Sequence, residues 1–360
     1  MKVLHIVTRA DSGGISTLIY NYYKHIEHQK VRFDIVAIDT GEKQGYHDHF
    51  ESLGMRVVYM PENLYARLLF LIRFICKERY NVVHAHIELQ SAIYLCVALF
   101  CRVKVRISHA HLSKSNYGLK NAVLRLLLNL VATQRFGASD LSIKAVFGLK
   151  YEKSAVVINN AIDVNKFSFD SNIRTQYRTN LGLSDKFVIG FVGRLSHQKN
   201  IRFLVDVFAK FEKEYSNTVL LIVGDGELRG QMTEQLESLN LLSKTIFLAT
   251  RDDVNALMMA MDVMLLPSFY EGLPLVLVEA QSTALMCIVS DKVTRLISIS
   301  DYIVYRGIEV SDTDSWVDSM IEYTKPYKRG VMKSIITEKH FNIVNEVDRL
   351  VNLYEFGLNA

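Results

Sequence analysis

Two cations follow a glycine at the end of an apolar run in the second half of the chain. Residues 188–192 are apolar, Gly193 comes next, and Arg194 and Lys199 follow ahead of a helical pattern. A strand–loop–helix junction presents backbone N–H groups and the positive end of a helix to an anion. An arginine can donate to two phosphate oxygens at once, and a lysine adds a point charge. The spacing therefore predicts a diphosphate-binding loop, with an ordinary solvated loop as the alternative.

Two glutamates form a second group of polar residues within the segment 267–280. Glu271 falls in the loop after a predicted strand, Pro274 suits the first position of a helix, and Glu279 follows within that helix. From Pro274 to Glu279 a helix advances ~7.5 Å, so the two carboxylates would address different parts of one elongated ligand. The first amides of a helix have no partner inside it. The backbone donors expected here are the N–H groups of Gly272, Leu273 and Leu275.

The elements that must position these residues follow from an alternation of β-branched runs with helical-period segments. Such an alternation predicts parallel sheets covered by helices, and 360 residues are enough for two domains. In the first half the predicted strands are 3–7, 33–38, 56–59, 82–85, 105–108, 136–138 and 156–158, and the helices are 15–28, 64–79, 90–101, 119–132 and 140–147. In the second half the strands are 188–192, 219–223, 245–248, 263–266 and 287–289, and the helices are 200–214, 227–239, 253–261, 274–284 and 314–324.

The fold class expected from this order is α/β, with two Rossmann-like doubly wound domains facing a central cleft. We place an N-terminal domain at 1–165, a C-terminal domain at 166–340, and a C-terminal helix at 341–360 that packs across the domain junction. A polar linker at 159–172 separates the two domains. In such sheets ligands bind beyond the carboxyl ends of the strands, which is where both polar groups fall.

Charge is distributed unevenly along the chain. Residues 1–165 contain 21 Lys and Arg against 13 Asp and Glu, a net +8, and the remainder contains 21 against 25, a net −4. A basic first half suits an anionic partner such as a membrane surface or a lipid-linked phosphate, although a solvated surface is the alternative. We expect no nucleic-acid partner. Because no apolar run reaches the roughly 18 residues of a membrane span, we expect a cytoplasmic protein, peripheral at most at the inner membrane leaflet.

Together these segments resemble glycosyltransferase family 4, a group of retaining GT-B enzymes, over nearly the whole chain. The matching landmarks are the Gly-Gly loop at 13–15, the His-x-His segments at His84/His86 and His109/His111, the hinge at 159–163, the Gly-Arg-Leu…Lys-Asn segment at 193–200, the segment 223–227, and the pair Glu271 and Glu279. Two departures are alanines, at 161 and 249, where the family pattern usually has glycine. Neither lies among the phosphate or sugar residues.

The resemblance implies a role for each candidate residue. Arg194, Lys199, the Gly14 loop and the amides of 272, 273 and 275 would bind the donor diphosphate. Glu271 would contact the donor sugar, and Glu279 the ribose. In the nucleoside-binding group we also place Gly224 and Arg251. In the family a histidine at the end of a strand in the first domain contacts the donor sugar, and here either His109 or His111 fits that position.

The function implied is metal-independent transfer of a sugar, with retention, from a nucleotide-diphosphate donor, expected to be a UDP-sugar. The acceptor would be a saccharide or a lipid-linked oligosaccharide in surface polysaccharide assembly. No cofactor or metal is expected, because the histidine spacings match no zinc motif and the acidic triplet 312–314 precedes a peripheral helix. A GT-B sugar-nucleotide epimerase or phosphorylase, and a non-catalytic sugar-nucleotide-binding protein, remain alternatives. The Gly13–Gly14 loop lacks the Gly-x-Gly-x-x-Gly pattern of a dehydrogenase.

Overall fold

The computed structural model describes residues 1–11, 13–112, 118–325 and 327–359. The chain divides into two compact units of similar size. The first domain comprises Met1–Ala161 together with Ile343–Ala360, and the second comprises Ile162–Asn342. Each domain has its own parallel sheet and its own buried core. The prediction of two Rossmann-like α/β domains is therefore confirmed.

Within its described residues the first domain contains a seven-stranded parallel sheet in the order β3-β2-β1-β4-β5-β6-β7. The strands are β1 (Lys2–Ile6), β2 (Arg32–Ile38), β3 (Arg56–Met60), β4 (Val82–Ala85), β5 (Val105–Ala110), β6 (Gln134–Gly137) and β7 (Val156–Val157). The helices are α1 (Gly14–His25), α2 (His47–Ser52), α3 (Leu64–Glu78), α4 (Ser91–Phe100), α5 (Leu119–Val131) and α6 (Asp140–Phe147).

The strands of this sheet are apolar on both faces because helices cover both faces. Successive side chains of a strand point to opposite sides, so Val3 and Leu4 of β1 enter different buried clusters. The Val3 side packs against α1 and against a helix from the end of the chain, α14 (Ile343–Asn359). The Leu4 side packs against α3, α4, α5 and α6. A helix remote in sequence thus completes the first core.

The second domain contains, over its described residues, a six-stranded parallel sheet in the order β10-β9-β8-β11-β12-β13. The strands are β8 (Phe187–Val192), β9 (Thr218–Val223), β10 (Thr245–Leu248), β11 (Val263–Leu266), β12 (Met286–Ser290) and β13 (Ile303–Arg306). The helices are α7 (Ser171–Asn180), α8 (Ile201–Glu214), α9 (Arg229–Ser238), α10 (Val254–Ala260), α11 (Leu275–Ser282), α12 (Thr313–Glu322) and α13 (Lys333–Glu338). Helix α8 buries an apolar stripe at helical spacing in the core of this domain, formed by Ile201, Leu204, Val205, Phe208 and Phe211.

Three elements of the second domain were not expected from the sequence: α7, α13 and β13. Helix α7 has only two apolar residues, Ile173 and Tyr177, and buries no residue completely. Its clearest local signal is Asp170, which accepts hydrogen bonds from the N–H groups of Asn172 and Ile173. Strand β13 lies at the edge of the sheet and buries only Ile303. Polar helices and edge strands lack the hydrophobic periodicity on which sequence patterns depend.

Candidate functional site

The loops that follow β8 and β9 contact each other backbone to backbone. Leu195 N–H donates to the carbonyl of Asp225 at 2.9 Å. A Cβ atom at Gly224 would overlap the carbonyl oxygen of Gly193, and one at Gly226 would overlap the backbone of Leu195. Gly224 also has a φ of +134°, which residues with side chains rarely adopt. Glycines are therefore required at 224 and 226 to hold the loop that carries Arg194.

Lys199 and Glu271, predicted as separate ligands of one donor, form an ion pair with each other. Lys199 Nζ donates to Glu271 Oε1 at 2.5 Å, and Ser268 Oγ donates to the same oxygen at 2.7 Å. Gln198 Nε2 donates to Glu271 Oε2 at 3.3 Å. The two charged side chains are only 15% and 9% exposed. Removing one member would leave a largely buried charge without its partner, which is strongly unfavourable.

The same two loops are joined by contacts that the sequence did not reveal. Phe269 N–H donates to the carbonyl of Gln198 at 2.9 Å, and Gln198 Nε2 donates to the carbonyl of Tyr270 at 2.9 Å. The ring of His197 stacks on that of Phe269 with centroids 5.1 Å apart. Gln198 and Ser268 are thus additional residues of the site. Both lie inside the two segments singled out from the sequence, but neither residue type indicated chemistry there by itself.

Helix α11 begins one residue later than the sequence predicted. Pro274 is its N-cap, with ψ 98°, and Leu275 is the first helical residue, so the placement of Pro274 at the first helical position was wrong. A residue with extended ψ cannot start the helical turn, although the missing N–H of proline remains harmless there. Among the described residues nothing accepts a hydrogen bond from the N–H groups of Gly272, Leu273 or Leu275. Unpaired amides at the start of a helix favour an anion.

Glu279 lies one turn further along α11 and is half-buried. Burial raises the pKa of its carboxyl to about 7, and the positive charge of Lys166 partly opposes that shift. Its carboxylate forms no hydrogen bond or salt bridge with the described residues. An unpaired acid that ionises near neutral pH can accept hydrogen bonds from the hydroxyl groups of a ligand.

The two arginines proposed as ligands lie at the surface beside acidic residues. Arg194 is 74% exposed, and its Nε lies 3.1 Å from Glu227 Oε2. Arg251 Nε and Nη2 donate to the two oxygens of Asp253 at 2.6 and 2.7 Å. An exposed pair such as Arg194–Glu227 contributes about 0–1 kcal/mol, so a phosphate could replace Glu227 at little cost. Asp253 is less exposed and also accepts a hydrogen bond from the hydroxyl of Tyr177 at 2.9 Å.

Gly14 is the first residue of α1, preceded by Gly13 as its N-cap. A Cβ atom at either position would meet no described atom within 4 Å. The packing of the first domain therefore does not by itself require glycine in this loop. A side chain at position 13 or 14 would occupy open space, so it would obstruct only a molecule bound against the loop.

The two histidines left open by the sequence differ in exposure. His109 is fully buried, whereas the side chain of His111 reaches the surface. His84 and His86 are buried as well. Of these four strand-end histidines, His111 is thus the one that a ligand could touch without a change in the fold.

Comparison with known proteins gives matches in sequence and in structure. The sequence profile of the family described as "Glycosyl transferases group 1" matches residues 173–325. The EpsF protein of Bacillus subtilis (strain 168), named as a glycosyltransferase, is 30% identical over 373 residues, covering 99% of this chain and 97% of its own. The UDP-Gal:alpha-D-GlcNAc-diphosphoundecaprenol alpha-1,3-galactosyltransferase of Escherichia coli is 34% identical over 206 residues, covering 55% and 53%.

The structure of Anabaena Alr3699/HepE in complex with UDP superimposes with a TM-score of 0.79 at 18% identity, over 99% of this chain and 100% of that one. Its complex with UDP-glucose gives a TM-score of 0.74 over 99% of both chains. At such low identity these structures show the shared fold. Because EpsF is 30% identical over nearly the full length of both chains, and because two Rossmann-like domains are present, the chain belongs to the group 1 glycosyl transferases of GT-B fold.

Proposed function

We propose that this protein is a family 4 glycosyltransferase that moves a sugar, with retention and without a metal ion, from a UDP-sugar to a saccharide or lipid-linked acceptor. The observation that carries the proposal is the Lys199–Glu271 pair beside the unpaired amides at the start of α11. The donor class is supported by relatives and structural neighbours whose names include UDP-Gal, UDP and UDP-glucose. The role in polysaccharide assembly is supported by a relative named for capsular polysaccharide biosynthesis in Staphylococcus aureus.

The chemical demand is to stabilise the negative charge that develops on the departing diphosphate. A lysine ammonium has three donors, so Lys199 can keep its bond to Glu271 and still donate to a phosphate oxygen. The amides of 272 and 273 and the guanidinium of Arg194 add further donors. These groups supply the charge stabilisation that a metal ion would otherwise provide.

The acidic triplet at 312–314 is engaged in local structure. Asp312 Oδ2 accepts a hydrogen bond from the N–H group of Glu309 at 2.9 Å, and Asp314 pairs with Lys210. This supports metal-independent transfer. For retention we propose that the acceptor attacks from the face that the diphosphate leaves and that a phosphate oxygen takes the acceptor proton. The C–O bond to the diphosphate breaks as the C–O bond to the acceptor forms.

We assign the ribose diol to Glu279 and the donor sugar to Glu271. Ionised Glu279 can accept hydrogen bonds from both hydroxyls of the diol, whereas the protonated acid can accept fewer. Glu271 already accepts bonds from Lys199, Ser268 and Gln198, which fixes its orientation. The roles proposed for Gly224 and Arg251 are to let the nucleoside approach the backbone and to contact it at the surface.

A lipid-linked acceptor would bring the protein to the inner leaflet of a membrane, and α5 has a surface suited to that position. We call the exposed side chains of Leu119, Val123, Leu126 and Leu130 the α5 stripe; they recur at helical spacing on one face. Helix α5 contains no acidic residue and carries the exposed Lys120. An exposed apolar stripe with a lysine and no acidic residue on its helix suits the surface of an anionic membrane. Among the helices of the described residues, none combines the length and the hydropathy that a bilayer-spanning helix requires.

Helix α3 of the same domain contains two arginines, of which only one is exposed. Arg67 in this helix points inward, where its guanidinium donates to the carbonyl of Pro61 at 2.9 Å and to the hydroxyl of Tyr94 at 2.8 Å. These acceptors hold Arg67 away from the surface, so its charge is not available to an anionic lipid. Arg73 remains exposed.

The proposed reaction predicts the product directly. With a UDP-sugar and an acceptor, the chain should release UDP and form a glycoside that keeps the anomeric configuration of the donor, in buffer containing EDTA. NMR coupling constants of the purified product report its configuration. An inverted product would contradict the mechanism, loss of transfer in EDTA would contradict metal independence, and conversion of the donor sugar without any acceptor would favour the epimerase alternative.

Lys199→Ala should reduce sugar transfer by roughly 10²–10³-fold, because a preorganised donor to the developing charge is lost. The variant Lys199→Met with Glu271→Gln keeps the pair neutral, so it should fold normally and still transfer poorly. UDP release measures both, and thermal denaturation checks the fold. Lys292→Ala, an exposed lysine of the same domain, is the control. Wild-type transfer in Lys199→Ala would remove this residue from the site.

Glu279→Gln should weaken UDP binding in a pH-dependent way. The pKa of this acid in the free protein is about 7, so it is mostly protonated at pH 6 and mostly ionised at pH 8. The affinity ratio of wild type to Glu279→Gln should therefore grow with pH, by about tenfold for a charged hydrogen bond of ~1.4 kcal/mol. For 2′,3′-dideoxy-UDP, which lacks the diol, calorimetry should show an affinity ratio that does not change with pH. The same pH trend for both ligands would contradict the ribose assignment.

The α5 stripe predicts how the protein partitions onto membranes. Wild-type protein should co-sediment with phosphatidylglycerol vesicles at low salt and bind phosphatidylcholine vesicles less. Replacing Leu126 and Leu130 by serine should abolish most binding, since each buried leucine contributes about 1.5–3 kcal/mol. Phe356→Ser, on α14 and 72% exposed, is the matched control. If the control lost as much binding as the double variant, the α5 stripe would not be the membrane surface.

A further inference from the structure

Five histidines lie on one face of the first sheet, on the side covered by α1 and α14. His5 of β1 lies opposite His84 of β4, and His86, His109 and His111 follow at the carboxyl ends of β4 and β5. We call them the histidine row. Their rings stack, with centroids 4.3 Å apart for His84 and His86 and 4.2 Å apart for His109 and His111. Side chains two residues apart on a strand share a face, which is how His-x-His pairs on neighbouring strands form this row.

Two hydrogen bonds join three rings of the row into a chain. His5 Nδ1 lies 3.0 Å from His86 Nε2, and His86 Nδ1 lies 2.9 Å from His111 Nε2. Burial lowers the pKa of His86 well below its usual value, that of His111 to about 4 and that of His5 to about 3. All three rings are therefore neutral at physiological pH, and each carries a single N–H group.

One proton per ring allows only two arrangements of the chain. Either every ring is protonated on Nδ1, so that His5 donates to His86 and His86 donates to His111, or every ring is protonated on Nε2 and the direction is reversed. The terminal atom, His5 Nε2, is buried without a hydrogen-bond partner among the described residues. The reversed arrangement would bury an N–H donor there, which proteins tolerate less than a buried lone pair. The first arrangement is favoured.

In that arrangement the series of three hydrogen-bonded rings ends in the Nδ1–H group of His111, which is still available as a donor. No described residue accepts a hydrogen bond from this nitrogen, and the His111 side chain reaches the surface. The backbone at this position is also fixed, because Glu88 Oε1 accepts hydrogen bonds from the N–H groups of His111 and Leu112 at 2.9 and 3.1 Å. Glu88 holds the backbone of His111, and His86 holds its ring.

We propose that His86 is a positioning residue that fixes the ring orientation and the Nδ1–H tautomer of His111, so that His111 presents a hydrogen-bond donor to a hydroxyl group of a sugar substrate. This inference rests on the proposed function for the ligand, but the tautomer it assigns does not depend on activity. The bond made by one ring nitrogen decides which form of the other a ligand meets. His5 acts one step further back, as the donor to His86.

A metal ion is the competing occupant of the row. Ring nitrogens of His86, His109 and His111 lie within 4.8 Å of one another, and both nitrogens of His109 are buried without a partner in the described part of the chain. Zinc binds the lone pair of a ring nitrogen. In the favoured arrangement the lone pairs of His86 and His111 are on Nε2, where each already accepts a hydrogen bond. The two arrangements therefore exclude each other, and the experiment separates them.

The tautomers can be read by NMR on full-length protein labelled with ¹⁵N-histidine, treated with EDTA and held at pH 7. Long-range ¹H–¹⁵N spectra distinguish protonated from bare ring nitrogens, and His111→Asn and His86→Asn assign the signals. We expect His5, His86 and His111 to be neutral and protonated on Nδ1. In His86→Leu we expect His111 to shift toward the Nε2–H form. An Nε2–H tautomer of His111 in the wild type, or one zinc per chain that resists EDTA, would overturn the proposal.

Kinetics then tests the consequence of this positioning. His86→Asn places an amide N–H near the position of the original Nδ1–H, so it should keep most of the transfer rate. His86→Leu should lower kcat by roughly 10–100-fold, as for other residues that orient a ligand-contacting group, with little change in the donor KM. Equal losses of kcat in both variants at matched thermal stability would show a merely structural role. If wild-type protein transfers no sugar, the proposed function fails, and the NMR result still decides the tautomer.

Discussion

A largely buried ion pair between Lys199 and Glu271 links the loop after β8 to the loop after β11 in the second domain. Burying two charges costs free energy, and good geometry with further hydrogen bonds must offset it. Here Ser268 and Gln198 supply those bonds. The result is a fixed cation whose remaining donors have no partner among the described residues, beside amides at the start of α11 that also have none there. The proposed transfer chemistry needs such preorganised donors, because reorganising them during the reaction would raise the barrier.

The sheet order explains why these loops meet. In the second domain the chain adds β9 and β10 on one side of β8, then crosses to add β11 on the other side. Doubly wound sheets bind ligands at this switch, beyond the carboxyl ends of the two strands. Lys199 follows β8 and Glu271 follows β11. In the first domain the switch lies between β1 and β4, where His5 and His86 share a hydrogen bond. Each domain thus concentrates its polar groups at its own topological switch.

Local sequence patterns predict most of the helices and strands, but they predict fewer of the contacts within the candidate site. Alternating strand and helix periods predicted both sheets, while α7 was missed because its residues are polar. Arg194, Lys199, Glu271 and Glu279 were recognisable from motifs and spacing. The Lys199–Glu271 bond was not, because it depends on β8 and β11 being neighbours, which no local pattern encodes. The position of His5 in the histidine row was not predicted for the same reason, because only the pairing of β1 with β4 places it beside His86.

The central claim is that the diphosphate of a sugar nucleotide binds where Lys199 meets the start of α11. A crystal structure of the wild-type protein with an intact, non-hydrolysable UDP-sugar tests it most directly. The account predicts phosphate oxygens within hydrogen-bonding distance of Lys199 Nζ and of the amides of Gly272 and Leu273, with the ribose at Glu279. A diphosphate bound elsewhere, with Lys199 still contacting only Glu271, would contradict it.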